Sequence, residues 1–311
     1  MRIVFIGTGE IAVPTLQLLL QKREHEVVAI VTQPDKPVGR DQRLSATPVK
    51  AAAAAMNLPI LQPPKIKSAD ALETIAALAP EVVVVMAYGQ ILPQALLDLP
   101  RRACLNLHAS LLPRWRGAAP IQAAIAAGDH ETGITVMYMN AGLDTGDILL
   151  QHPTPIREGD SGASLHDRLA QIAPGACAEA LSLIAAGKAP RSRQDESCAT
   201  HAPKLEREDG AIDWKMDAEE IERKIRAFDP WPGAFTRVAA GDRPPQSLKI
   251  FRAHIVPENG RSGSVLHVNG DIVVSAADAS LALDEVQLAG KRRMKAAEFA
   301  RGLPGPLRVV D

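Results

Sequence analysis

The sequence predicts an α/β fold, a doubly wound and mostly parallel sheet followed by a small β-barrel. Three observations carry this prediction. Short runs of Val and Ile without polar alternation recur in the first part of the chain, stretches with helical spacing separate them, and beyond about residue 200 the pattern changes to short strands divided by turn residues.

Ile3–Ile6, Val27–Val31 and Val82–Met86 are continuous apolar runs, as expected of strands covered on both faces. Ile11–Lys22 carries apolar residues at helical spacing between the first two. Val49–Met56 contains the alanine run 51–55, a strong helix former, and Ala69–Leu78 reads as a helix that ends before Pro80. This alternation predicts a Rossmann-like βαβ arrangement. Gly7-Thr8-Gly9-Glu10-Ile11-Ala12 follows the first strand in the pattern of a dinucleotide turn. That motif needs an acidic residue at the end of the second strand, and Val31-Thr32-Gln33 supplies none, so a tight turn built from small residues is the better reading.

Cys104–His108 reads as a further strand, with a helix starting at about Ala118. A long helix over Leu165–Ala186 closes at Gly187, and Lys188–Lys204 has little apolar content. The expected domains are therefore 1–189, a linker 190–207, and 208–311. In the last of these, a helix over Ala218–Arg226 precedes strands at Leu248–Ala253, Gly263–Val268, Asp271–Ser275 and Leu281–Val286, a spacing that suggests an OB-like barrel.

Composition narrows the function. The 311 residues suit two domains, and aromatic residues at 3% predict an aliphatic core. The net charge is −1, so composition alone favours a small-molecule enzyme, and any nucleic-acid site has to be a local patch. Cys104, Cys177 and Cys198 are widely spaced and odd in number, which suggests neither a disulfide framework nor a zinc ribbon. The first strand begins at residue 2, leaving no room for a leader ahead of the fold, and no apolar run reaches the ~18 residues of a membrane helix. The expectation is a cytoplasmic monomer without membrane contact.

The chemistry concentrates in two places. Residues two apart on a strand share a face, so Asn106 and His108 point one way and Leu105 and Leu107 the other. They lie at the carboxyl end of a strand, where open α/β sheets bind ligands. The second place is Gly142-Leu143-Asp144-Thr145-Gly146-Asp147, where flanking glycines suggest a tight loop that aims a carboxylate, though it could also be only a turn. A metal is disfavoured, because Asn is a poor transition-metal ligand and no second His or Cys stands at ligand spacing.

Asn106-x-His108-x-Ser110-Leu111-Leu112-Pro113-x-x-Arg116-Gly117, followed by Asp144 in its Gly-Leu-Asp-Thr-Gly-Asp loop, resembles the signature of the folate-dependent formyltransferases. The likeness extends over Thr32-Gln33-Pro34-Asp35 to Thr47-Pro48-Val49-Lys50, Met86–Pro93, Ile225–Phe235 with its Pro-Trp-Pro-Gly-Ala run, and Ala289-Gly290-Lys291. The Thr-Gln-Pro-Asp and Thr-Pro-Val-Lys stretches resemble most closely the branch of the family that acts on tRNA.

That resemblance implies transfer of a formyl group from 10-formyltetrahydrofolate, a co-substrate, to the α-amino group of methionine on initiator tRNA, without a metal. It implies that Asn106, His108 and Asp144 are catalytic and that Ser110, Leu111, Leu112 and Pro113 line the folate site, with the Met86–Leu92 backbone receiving the pterin. Ser110 could instead be a turn cap. The long loop 33–50, with Lys36, Arg40, Arg43 and Lys50, is implied to grip the tRNA acceptor end, assisted by the basic run Lys291, Arg292, Arg293 and Lys295. A sugar-nucleotide N-formyltransferase is the nearest alternative, then a formyltetrahydrofolate hydrolase, a glycinamide ribonucleotide formyltransferase, and a catalytically silent RNA- or folate-binding protein.

Overall fold

The computed structural model describes residues 1–22, 24–38, 42–268 and 271–310. They form two compact units. The first comprises Met1–Pro120, Glu131–Pro155 and His166–Pro203; the second comprises Ile121–His130, Ile156–Leu165 and Lys204–Asp311.

The first unit is built on a seven-stranded sheet. From one edge the order is Ile148–Pro155, Glu131–Tyr138, Ala103–His108, Val82–Met86, Arg2–Gly7, Glu26–Val31 and Ile60–Leu61. The last five run parallel; Glu131–Tyr138 lies antiparallel to Ala103–His108, and Ile148–Pro155 antiparallel to Glu131–Tyr138. The continuous apolar runs are buried as expected, with all of Val82–Met86 inside. Helices form at Val13–Gln21, Pro48–Ala53 and Ala69–Ala77. Thr47 starts the second of these by accepting the Lys50 N–H at 3.1 Å, with Pro48 in the first turn where its missing N–H costs nothing. The core is aliphatic, drawing on Val4, Ile6, Ile66, Ile75, Val83 and Leu96 among others.

The two antiparallel strands are not anticipated by the sequence reading. Ile148–Pro155 contains Pro153 and Pro155, which lack the N–H that a ladder uses; at a sheet edge the missing groups are tolerated. Their effect is to move Ala103–His108 from an edge into the sheet interior.

In the second unit, six strands form an antiparallel ladder in the order Val265–Val268, Asp271–Ser275, Ser280–Leu288, Gln246–Val256, Phe235–Ala240 and Leu307–Val309, with Met294–Lys295 added on Ser280–Leu288. The two ends of the ladder approach each other, giving a nearly closed barrel. Helix Ala218–Ala227 sits against it, burying Ile221 and Ile225, one turn apart on one face. Trp214 is buried beside them and donates its indole N–H to the Thr236 hydroxyl at 3.1 Å.

Candidate active site

Asn106 and His108 lie at the carboxyl end of their strand, between Val85 on the parallel side and Met137 and Thr135 on the antiparallel side. Leu105 and Leu107 are buried in the sheet's packing layer. Asp144 comes from the separate loop after Glu131–Tyr138, and the three side chains converge. Asn106 Nδ2 donates to Asp144 Oδ1 at 3.3 Å, and His108 Nδ1 stands 3.6 Å from Asp144 Oδ2.

The His108 ring is 6% exposed, and its Nε2 lies 2.8 Å from the Trp115 carbonyl oxygen. A carbonyl can only accept, so Nε2 carries the hydrogen. Nδ1 then faces the carboxylate with a lone pair when the ring is neutral and with an N–H when it is charged. At 3.6 Å the carboxylate is beyond ordinary hydrogen-bond length. The Trp115 carbonyl therefore fixes the ring, and Asp144 faces it at ion-pair distance.

Asp144 itself is held in the left-handed region, φ 52°. A non-glycine residue there costs about 1–3 kcal/mol, which surrounding contacts have to offset. They do so on several sides. Oδ2 accepts the Gly117 N–H at 2.9 Å. Asn140 Oδ1 ties the loop by accepting from Gly142 N–H at 3.0 Å and from the Thr145 hydroxyl at 2.9 Å. A Cβ at Gly146 would run into the Tyr138 carbonyl, so only glycine fits there. The opposing loop is also unusual, with Trp115 at φ 61° and Gly117 at φ 121°. Residues 200–202 support it: Trp115 N–H donates to the Thr200 hydroxyl at 2.8 Å, Arg116 N–H to the Thr200 carbonyl at 2.9 Å, and Arg116–Gly117 pairs in parallel with His201–Ala202.

Arg116 has a buried guanidinium, 3% exposed. It donates to both Glu196 oxygens at 2.8 Å and to Gln194 Oε1 at 3.0 and 2.8 Å. The Glu196 bonds raise the Arg116 pKa and lower that of Glu196, so both stay charged. The thiols of Cys104 and Cys177 are pushed up to about 12 by burial and stand outside this chemistry. Among the described residues no group of three or more His, Cys, Asp and Glu could hold a metal ion.

Next to the three side chains run two further loops. In 110–113, the Ser110 hydroxyl is fully buried and donates to the Arg114 carbonyl at 2.6 Å, the turn-closing role. Thr135 Oγ1 donates to the Ser110 carbonyl at 2.6 Å and accepts the Leu112 N–H at 3.1 Å. In 86–92, Ala87 and Gly89 have φ of 49° and 83°, and the Tyr88 carbonyl accepts from Thr8 Oγ1 at 3.1 Å and Gln33 Nε2 at 2.9 Å. The Gly7-Thr8-Gly9 turn thus braces this loop, Gly9 N–H also donating to the Ala87 carbonyl at 3.3 Å. Ile91, at its tip, is 84% exposed.

The basic positions separate into two groups. Lys36 and Arg43 lie on a short hairpin, Lys36–Val38 against Arg43–Ser45, and Arg40 falls outside the described residues. Lys36 Nζ donates to Gln33 Oε1 at 3.0 Å. Lys50 is turned inward, bound to Asp35 at 2.6 Å and to Gln62 at 2.8 Å, and these two neighbours hold the Asp35 carboxyl below its usual range. In the second unit Lys291 is exposed, Arg292 pairs with Glu298 at 2.9 Å, and Arg293 pairs with Glu285 while stacking 4.1 Å above Phe251.

The sequence reading carries Gly117 in its motif without a role and does not single out Trp115, Gln194 or Thr200. The last two sit in a polar, turn-rich stretch whose composition is that of a linker.

Comparison with known proteins adds the following. Residues 1–181 match the model of the formyl transferase family, and residues 204–304 that of the formyl transferase C-terminal domain. The chain is 45% identical to the methionyl-tRNA formyltransferase of Geobacter sulfurreducens, covering 97% of this chain and 94% of that one. It is 48% identical to the methionyl-tRNA formyltransferase of Pseudomonas paraeruginosa, covering 96% and 95%. Among solved structures it is similar to HypX from Aquifex aeolicus in complex with tetrahydrofolic acid, with TM-score 0.64 and 21% identity over 98% of this chain; the chain spans about half of HypX, 48% of its length.

Proposed function

The chain belongs to the formyl transferase family, and on that premise we propose that it transfers the formyl group of 10-formyltetrahydrofolate to the α-amino group of methionyl-initiator tRNA. The observation that carries the reading is the convergence of Asn106, His108 and Asp144 at a strand end, on a chain nearly half identical over its length to enzymes named for that reaction.

When bound, the folate supplies an activated one-carbon carbonyl, and the remaining work falls to side chains. Attack by an amine puts negative charge on the formyl oxygen and leaves a proton on nitrogen. Asn106 engages Asp144 through one amide hydrogen, and the second is available to that oxygen. His108 in its charged form is a second donor. Its Nε2–H is committed to Trp115, so the proton it can give or take is at Nδ1, on the Asp144 side. Asp144 Oδ2 accepts the amine proton directly or through water, steadied by the Gly117 N–H, and passing that proton on to the folate nitrogen would let its bond to the formyl carbon break, leaving the formyl group on the acceptor amine and releasing tetrahydrofolate. An α-amino group with a reference pKa of ~7.7–8.0 is partly neutral already, so a carboxylate is base enough.

The site residues and partners follow from the same reading. Leu111, Leu112 and Pro113 line the folate site opposite the 86–92 loop, and Ser110 contributes by closing the turn. The reading includes no metal, in keeping with a site whose one imidazole and one carboxylate are fewer ligands than zinc takes. Lys36, Arg40 and Arg43 grip tRNA phosphates, with Lys291 exposed in the second basic run and Arg292 and Arg293 partly committed to carboxylates. Catalysis belongs to the amino-terminal domain and tRNA backbone contact to the barrel 208–311. All three reacting side chains come from one chain, which suits a monomer, and initiator tRNA places the enzyme in the cytoplasm. No helix among the described residues is long and apolar enough to cross a membrane.

The test is acceptor choice. Incubated with 10-formyltetrahydrofolate and, in separate reactions, Met-tRNA, a UDP-aminosugar or water alone, the enzyme is expected to yield formylmethionyl-tRNA and little else. Formylated sugar, or formate released as fast without tRNA as with it, would overturn the reading.

A further inference from the structure

Residues 182–203 fall between the two matched family stretches, and the sequence reading places a linker at 190–207, yet residues 191–202 are built into the walls of the site. Residues 191–194 run antiparallel alongside 144–148. Ser192 and Ile148 exchange backbone hydrogen bonds at 2.8 and 3.0 Å. Arg191 stacks 3.7 Å above the Tyr138 ring and lies 3.8 Å from Asp147. Gln194 then reaches the catalytic loop itself, donating through Nε2 to the Asp144 carbonyl at 2.8 Å and to the Gly146 carbonyl at 2.7 Å. Its Oε1 is occupied by the Arg116 guanidinium, which Glu196 holds from the other side.

We propose that Gln194 is a positioning residue for formyl transfer, fixing the backbone of Asp144 so that its carboxylate meets Asn106 and His108. The proposal rests on the transferase reading above. Two physical facts favour it over simple structural support. Asp144 sits in the left-handed region, which costs an L-residue free energy, and a hydrogen bond to its carbonyl helps to hold its backbone there. A carboxamide is also the group that fits: it needs an acceptor for Arg116 on one side and two hydrogens for two carbonyls on the other, and here all are used. A carboxylate at this place would satisfy Arg116 but present oxygen to both carbonyls; an apolar side chain of the same length would leave the carbonyls without a partner. Arg116 keeps the carboxamide from flipping, because the reversed orientation would set its NH2 against the guanidinium.

The experiment uses Gln194→Met, nearly isosteric, and Gln194→Glu, each made in the wild-type and in the Asp144→Ala enzyme. Formylation of Met-tRNA is measured as kcat and KM for both substrates, well below each variant's melting temperature. In the wild-type background kcat is expected to fall about a hundredfold for both variants, the scale of loss from a misplaced reacting group, with each KM within about threefold. In the Asp144→Ala background the same substitutions should cost less than about twofold, because the residue through which Gln194 acts is already gone. An unchanged kcat in the wild-type background, or an equal loss in both backgrounds, would overturn the proposal. The second outcome is what general loosening of the fold predicts. Should the unmodified enzyme form no formylmethionyl-tRNA, the transferase reading fails and this inference with it, an outcome distinct from active Gln194 variants beside an active parent.

Discussion

The Asp144 loop and the Lys36–Ser45 hairpin both belong to the first unit, both carry charged residues assigned to function, and they are built in opposite ways. Asp144 is tied by side chain and backbone to three other segments, through Asn106, Gly117 and Gln194, and its loop is closed by the Tyr138–Asp147 backbone bond. The hairpin is exposed along residues 42–46, with Leu44 75% exposed. At its base Asp35, Lys50, Gln62 and Gln33 form a closed set of hydrogen bonds. Under the proposed function the difference matches what each region would do. A reacting carboxylate loses its value when displaced by about 1 Å. Attraction between lysine and phosphate acts over a Debye length of ~8 Å and tolerates many geometries. Rigidity is spent where direction matters.

That contrast can be broken most severely at the rigid end. Asn106→Ala, His108→Ala and Asp144→Ala are each expected to fold and to lose about a hundredfold or more in kcat, the cost typical of removing one donor to a developing oxyanion, with KM for tRNA changing little. Initial rates at saturating folate and tRNA provide the check, and a rate within about threefold of the parent for Asn106→Ala would remove it from the mechanism.

At the exposed hairpin the effects are smaller and of another kind. Lys36→Ala with Arg43→Ala should raise KM for tRNA several-fold, leave kcat and folate KM near the parent values, and reduce the slope of log affinity against log salt by about one per charge removed. Titrating tRNA at three salt concentrations reads this directly; an unchanged slope would mean that the hairpin does not meet phosphate.

How much of this was legible in the sequence depends on the same contrast. The strand carrying Asn106 and His108, the Asp144 loop and the three parallel strands stand out because period-2 placement, flanking glycines and unbroken Val/Ile runs are local signals. Edge strand Ile148–Pro155 was hidden by its prolines, and the support from Gln194 and Thr200 by distance along the chain. Gln194 lies 50 residues from Asp144, and nothing in its own neighbourhood announces a partner. Lys50 shows the converse error of counting charges: it looked like part of the basic loop, yet its ammonium is turned onto Asp35 and Gln62. Sequence exposes groups that act through local pattern; it conceals those that act through tertiary placement.

The separation of chemistry from grip is tested most directly by single-turnover formylation, with enzyme in excess and raised until the rate no longer depends on it. Saturation removes any defect in holding tRNA and leaves the chemical step exposed. The Lys36→Ala, Arg43→Ala enzyme should then reach within about twofold of the parent rate, while Asn106→Ala stays about a hundredfold slower at every enzyme concentration. A hairpin variant that remained slow at saturation, or an Asn106→Ala enzyme that recovered there, would contradict the account.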